Sequence, residues 1–531
     1  MTRTDHHRPF SAGPFAQIYP GSLVVEFDLT RRQILDLNAG NRLLAALEGA
    51  DDADRRRHIF ADVPDEAKQF LAVRAHEQDH LRRLLSTTFG FLCDTVRHQW
   101  VTLGAQVVAA TARSNCEHLV PFRTPLVPPR MSFAGALATL RQRADDGHPL
   151  DPLFRGNFDL LEALIDDVSP GEFASALWGL TNGDPAAVAA LAAGVNVGRK
   201  LCAAHPMSDK SGRALGLTAR HLLELFAIGE HGNGLLRTGT ELADVENLLK
   251  GSDHEYAMTL LAWRSVFPEA GWPEVADQAR REDDLIIEWY RLFPFELYVA
   301  ADLALWPPFI PTEDLLIDGE LTWADVQPGR RFAKALATLQ ELGVEPSVIP
   351  ADGRNERFLD LQARVCARLG WPTPHRLATE WAAALARHAG AKTTPWASLD
   401  GPADYRVTNA LRLLAARLDR PADFVLNNLD FNGMGLDGIP GWVFREADDR
   451  LSVVAMSRLG EAALVPLVMI EGTRRLATGH SRFFDGTFDP AFRKPAVGVL
   501  SAMLASAGGW DDATRDRFHR DAGRQFGVAD D

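Results

Sequence analysis

Cysteine is scarce in this chain: Cys93, Cys116, Cys202 and Cys366 are the four in 531 residues, far apart and with no CxxC pair. That excludes a disulfide framework and a cysteine-based zinc site, and it fits a reducing cytoplasm. Long apolar runs are missing too. The longest, Ala186–Val195 and Ala462–Ile470, are Ala-rich and well short of the roughly 20 residues a membrane helix needs. The opening MTRTDHHRPF contains no apolar core of a secretory signal. Lysine is rare, seven of 56 basic residues, the rest being arginine; high-GC codon usage accounts for that, the sharper alternative being an arginine cluster for phosphate. No GxxxxGK[ST] or GxSxG sequence occurs, which argues against P-loop nucleotide chemistry and a serine nucleophile elbow. The net charge of −15 argues against a general nucleic-acid binder, which needs a basic face. These absences together lead us to expect a cytoplasmic protein with no nucleic-acid partner and no membrane partner.

What is present is ordinary for a folded chain, with 46% apolar and 24% charged residues. The length suggests two to four domains by the usual size of about 100–200 residues each. Two β-hairpins are expected. The first pairs SLVVEFDL (22–29) with RRQILDLN (31–38), and the second is GWVFREADDRLSVVAM (441–456). Elsewhere the periodicity is helical. Pro64-Asp65-Glu66 is good helix-start chemistry, and Phe70, Val73, Leu81, Leu84 and Leu85 follow at helical spacing, with Gly90 a bend or stop. Leu217–Leu236 reads as a helix ending near Gly232, another is expected from about Pro273 to Leu305, and Pro307-Pro308 closes it. A linker over Pro311–Arg330 precedes a helical region over Phe332–His388. The expected fold is mainly α: a multi-helix, bundle-like core over 1–310 carrying the functional site, and a mainly helical region over 311–531, with minor β-hairpins at the two ends.

The outstanding motif is His76-Glu77-Gln78-Asp79-His80, an HExxH sequence inside the confidently helical stretch. Residues i and i+4 lie one turn apart on the same face, so two imidazoles can point at one metal ion. Glu77, one residue on, can reach a water beside that metal and act as general base. By composition, a chain like this carries the motif by chance roughly a few times in a hundred. A zinc hydrolase also needs a third protein ligand. In ARHLLELFAIGEHGN, His221, Glu224 and His231 share one helix face, and Glu224 is flanked by Leu222, Leu223, Leu225 and Phe226. A carboxylate in such company requires a partner, which makes Glu224 the candidate third ligand; the plainer alternative is an arginine in the core. His231 is a candidate transition-state donor, although a solvent-exposed helix end beside Gly232 would account for it as well. Tyr256, Tyr290 and Tyr298 are further donors the sequence does not choose between.

The segment HEQDHLRRLLSTTFG (76–90) resembles a group of bacterial proteins carrying a helix of the form HExxHxxQxxxTxxG, followed by LLEgxA and DLALxPP. This chain has LLELFA at Leu222–Ala227 and DLALWPP at Asp302–Pro308, in the same order, over about residues 70–310; Arg83 replaces the Gln and Trp306 an Asn. The group is zincin-like by motif and uncharacterised in activity. The resemblance implies a metal site at His76 and His80 with zinc as cofactor, Fe2+ being the alternative, and a peptide or small amide as substrate.

Three readings of function therefore stand at this point. The first is a zincin-like peptidase or amidase with His76, His80 and Glu224 on the metal and Glu77 and His231 in catalysis. The second is a non-heme iron oxygenase, either of the 2-oxoglutarate type or di-iron, where Glu77 and His80 are ligands at the i, i+3 spacing. A di-iron site needs a second ExxH, for which Asp145/His148 and Asp516/His519 are weak substitutes. The third is a helical scaffold whose HExxH is degenerate. Asp302, ahead of the double proline, is expected to brace the fold rather than catalyse. The Asp430–Gly438 segment reads as a turn-rich loop without the Glu that closes a calcium loop. Cys116 and His118 read as structural.

Overall fold

A computed structural model describes residues 10–11, 16–19, 24–27, 65–91, 93, 217–237, 240, 254–268, 293–307, 327–350, 352–389, 403–426, 442–445, 451–454, 498, 501 and 511–525. Most of these residues are helical. The helices are α1 (Asp65–Ser86), α2 (Ala219–Arg237), α3 (His254–Val266), α4 (Phe295–Ala304), α5 (Pro328–Glu341), α6 (Arg354–Leu369), α7 (Pro374–Ala389), α8 (Ala403–Asp419), α9 (Pro421–Val425) and α10 (Asp512–Gln525). The strands are short: β1 (Phe10–Ser11), β2 (Ala16–Tyr19), β3 (Val24–Phe27), β4 (Trp442–Arg445) and β5 (Leu451–Val454). They lie side by side in that order; β3 and β4 are parallel, with Val25 opposite Trp442, and the other neighbours antiparallel. The strand β3 falls inside the expected segment 22–29, but its described neighbours are β2 and β4, and 28–38 lies outside the described residues. No helix among the described residues is long and apolar enough to cross a membrane.

Helix α1 begins at Asp65, where Pro64 and the acidic first turn place it. On its outer side Lys68, Ala75, Gln78 and Leu85 keep partial exposure, while Ala72, Val73, His76, His80 and Leu84 are buried on the opposite side. That buried face lies along α2, which is almost entirely buried itself. The two helices run antiparallel: Ala72 meets Gly234, His80 meets Glu224, and Arg83 stacks on the Phe226 ring at 4.2 Å. Helix α2 does not end near Gly232 as its glycines suggested; it runs to Arg237. The reason is close packing. A Cβ on Gly234 would sit 2.9 Å from the Cα of Ala72, so glycine here lets two helix backbones approach.

The end of α1 is tied to the end of α4. Phe89 N–H donates to the Leu305 carbonyl at 3.1 Å, and the Thr88 hydroxyl to the Pro307 carbonyl at 2.9 Å. Thus the TTFG end of the 76–90 segment rests on DLALWPP. A Cβ on Gly90 would lie 2.0 Å from the Leu84 carbonyl oxygen, so the chain can fold back on its own helix here only with glycine.

Helix α4 is buried at all ten positions, which suits its apolar FELYVAADLA sequence. It is shorter than the expected Pro273–Leu305 helix, and 269–292 lies outside the described residues. Pro294 precedes it, and it ends at Ala304, three residues before Pro307. Arg331 of α5 caps it, donating to the carbonyls of Leu303 (2.9 Å) and Trp306 (2.7 Å). The region 332–388 resolves into α5, α6 and α7, and α5 starts earlier than expected: Gln327 accepts from the Arg330 N–H and Pro328 takes the first turn.

Asp302 has the bracing role expected of it. Its carboxylate receives two hydrogen bonds from Arg417 of α8, one at 2.9 Å, and one from Gln362 of α6 at 2.6 Å. Arg417 also lies over the Trp306 ring at 4.5 Å. All of these groups are buried. Removing one partner of a buried ion pair strands the other and costs about 3–5 kcal/mol. Asp302→Ala should therefore lower the urea midpoint of unfolding by an amount matching that range. A variant with an unchanged midpoint would show that Arg417 finds another partner.

Candidate metal centre

The packing of α1 on α2 brings three sequence-distant groups to one point. His76 Nε2 is 3.1 Å from Glu224 Oε2, His80 Nε2 is 3.5 Å from Glu224 Oε1, and the two Nε2 atoms are 3.1 Å apart. The imidazole rings stand nearly perpendicular, at 85° with centroids 4.8 Å apart. Among the described residues, this is the His/Cys/Asp/Glu group with metal-ligand spacing. Ligands of a tetrahedral zinc at 2.0–2.1 Å lie about 3.3–3.4 Å from one another, so the donor spacings fit such an ion. All three side chains are at 0% exposure.

The wider charge pattern sharpens the point. The described residues include seven buried acids. Asp79 pairs with Arg83 at 3.1 Å, Glu230 with Arg82 at 3.1 Å, and Glu296 with Arg357 at 3.5 Å. Asp302 pairs with Arg417, and Asp423 with Arg354 and Arg420. Glu77 and Glu224 are the two that face no arginine or lysine. Glu224 meets only the two histidines, and neither carboxylate oxygen of Glu77 has a hydrogen-bond partner. The core-arginine alternative for Glu224 therefore fails: the nearby arginines are engaged by its neighbours Asp79 and Glu230.

Electrostatics follow from this enclosure. Burial pushes the Glu77 carboxyl well above the usual carboxylate range, and the charge on Glu224 adds to the effect. Burial alone would raise Glu224 as well, but His80 and His76 outweigh it and hold the group at about 2. Burial draws His76 below the ordinary imidazole value against the opposing pull of Glu224. His231 is pushed down to about 3 by burial and by His76.

His231 lies inside α2, buried, its ring 5.9 Å from that of His76. The expectation of a solvent-exposed helix end is thus corrected, because α2 continues past Gly232 along α1. Its Nδ1 has no hydrogen-bond partner. His221, on the same nominal face, is not part of the centre: its Nδ1 holds the Thr218 N–H at 3.1 Å, at the start of α2. Tyr298 is buried on α4 with its hydroxyl turned toward Gly229 of α2. Tyr290, Asp145, His148, Cys116, His118 and Asp430–Gly438 lie outside the described residues, as does the Tyr256 side chain. Asp516 is ion-paired with Arg515 at 3.2 Å and His519 contacts Ser501 at 3.2 Å, both along α10.

Two pairs beside the centre escaped the sequence reading. Arg82–Glu230 links α1 to α2, and Asp79–Arg83 extends through the Arg83 guanidinium to the Val425 carbonyl of α9 at 2.9 Å. The i, i+4 spacing of Asp79 and Arg83 was a local signal. The partner of Arg82, 148 positions away, had none. Comparison with protein-family models, curated proteins and solved structures gave no match.

Glu77 allows a test in the metal-free protein. A buried acid whose folded value is raised destabilises the fold progressively as pH rises from the ordinary carboxylate range toward that raised value. Glu77→Gln should therefore match the parent near pH 5 and exceed it by about 1–3 kcal/mol near pH 7.5, in EDTA. Thermal melts at the two pH values check this, and equal stability at the higher pH would refute it.

Proposed function

We propose that the chain is a metal-dependent hydrolase with a zincin-type centre in a mainly helical core, flanked by minor β-hairpins. His76, His80 and Glu224 hold the ion, Glu77 is the general base, and the bond cleaved is an amide of a peptide or small amide. The observation that carries the reading is the buried His76, His80 and Glu224 group at metal-ligand spacing, with Glu77 buried in the same region and neither carboxylate paired with an arginine or lysine. An ionised Glu224 enclosed with two imidazoles and no arginine or lysine suits a divalent cation. Zinc is the preferred ion, since two histidines and a glutamate form a known hydrolytic donor set.

When bound, such an ion supplies Lewis acidity toward a water and a carbonyl oxygen, bringing the water's pKa near 7. Glu77 receives the proton of the attacking water as the new C–O bond forms. The same carboxyl then returns the proton to the amine as the C–N bond breaks, leaving an acid and an amine. His231, neutral through its lowered value, is placed to offer an N–H to the developing oxyanion. A cytoplasmic location belongs to the same proposal, in keeping with the free thiol of Cys366.

A second reading has one specific support. Two histidines and one carboxylate are also the donor set of mononuclear non-heme Fe(II) oxygenases. The di-iron form has less support, since Glu77 is not among the grouped donor atoms.

Elemental analysis of the purified protein beside a His76→Ala/His80→Ala double variant decides between them. About one zinc per chain, lost in the variant, is the expected result; iron lost in the variant would transfer the proposal to oxygen chemistry. No metal in either protein after reconstitution would sink both and leave a helical scaffold. Glu77→Gln should keep its metal and lose about 10²–10⁴-fold in turnover, whereas Glu224→Ala should lose the metal. Metal loss in Glu77→Gln would instead make Glu77 a ligand.

A further inference from the structure

We infer that the centre receives a small amide or carboxylic-acid compound, not a length of polypeptide. This inference rests on the metal-site reading and narrows its substrate. An extended peptide lies across a surface groove, and the base that serves it must be reachable from that groove within hydrogen-bond distance. Here the three donor side chains are at 0% exposure and Glu77 at 1%. His231, at 8%, is the most exposed of the five. A compound of few atoms can be enclosed in such a site, while a chain running past it in both directions cannot.

The polar groups left over define what the enclosed compound offers. Both oxygens of Glu77 and Nδ1 of His231 are buried without hydrogen-bond partners. Buried polar atoms are normally matched, so these three are the ones a ligand can complete. An N–H or O–H on the ligand suits Glu77. A carbonyl or carboxylate oxygen on the same small group suits the ion held by His76, His80 and Glu224. An amide, or the acid it yields, presents both on adjacent atoms.

The test uses the full chain loaded with cobalt(II), whose visible bands report ligand binding without turnover. Acetohydroxamate is titrated against a hydroxamate carried on a tetrapeptide. Acetohydroxamate should perturb the bands with a Kd at least about tenfold lower, one decade corresponding to about 1.4 kcal/mol. Equal or tighter binding of the tetrapeptide hydroxamate overturns the inference. So does a cobalt spectrum that responds to neither probe, since the centre would then admit no such ligand. A chain that takes up no cobalt at all overturns the metal-site reading itself, a different result recorded before any hydroxamate is added.

Discussion

The Glu224 carboxylate, buried against His76 and His80 with no arginine or lysine beside it, is the constraint on which the rest of this structure depends. A carboxylate enclosed where the dielectric is low gives up its hydration and needs partners at close range. Glu224 meets the two histidines because α1 and α2 are held in one register by much larger contacts. Gly234 against Ala72 sets the close approach at one end, and Arg83 over Phe226 sets it at the other. His80 and His76 hold Glu224 ionised, while burial and the charge on Glu224 raise the Glu77 carboxyl.

The arginines around the centre have a complementary task. Arg82 and Arg83 each occupy a neighbouring acid, Glu230 and Asp79, and so remove themselves as partners for Glu77 and Glu224. Farther out, Arg417 grips Asp302, and Arg331 caps α4, so helices on both sides of residue 310 are joined through buried charges. Such pairs are demanding in geometry, because a misplaced partner leaves an uncompensated charge. They favour one arrangement of α1, α4 and α8 over near alternatives.

Much of the site was legible in the sequence because its strongest signals are local. His76 and His80 belong together through helix geometry alone, and the apolar flanks of Glu224 marked it as a carboxylate in need of a partner. The helical character of 65–86 and 219–237 followed from periodicity. What misled was the glycine pair at the end of α2. Gly232 reads as a stop, yet the helix passes through it to Arg237, because tertiary packing rewards the absent side chain there. With the helix prolonged, His231 moved from an exposed terminus to the interior. The partner of Arg82 and the three-way grip on Asp302 by Arg417 and Gln362 carried no local pattern.

The amino-acid sequence by itself determined the ingredients: a mainly helical chain, an HExxH turn with two imidazoles on one face, and a glutamate embedded in leucines. Short-range geometry is enough for that, since backbone periodicity dictates which neighbours share a face. Only the tertiary structure decided that Glu224 meets both histidines at 3.1 and 3.5 Å, and that His231 is buried beside them. It also decided that every other buried acid among the described residues has an arginine while Glu77 and Glu224 do not. The Glu224 contacts and the Arg82–Glu230 and Arg417–Asp302 pairs join residues more than a hundred positions apart, and the charge balance of a core exists only once the core has formed.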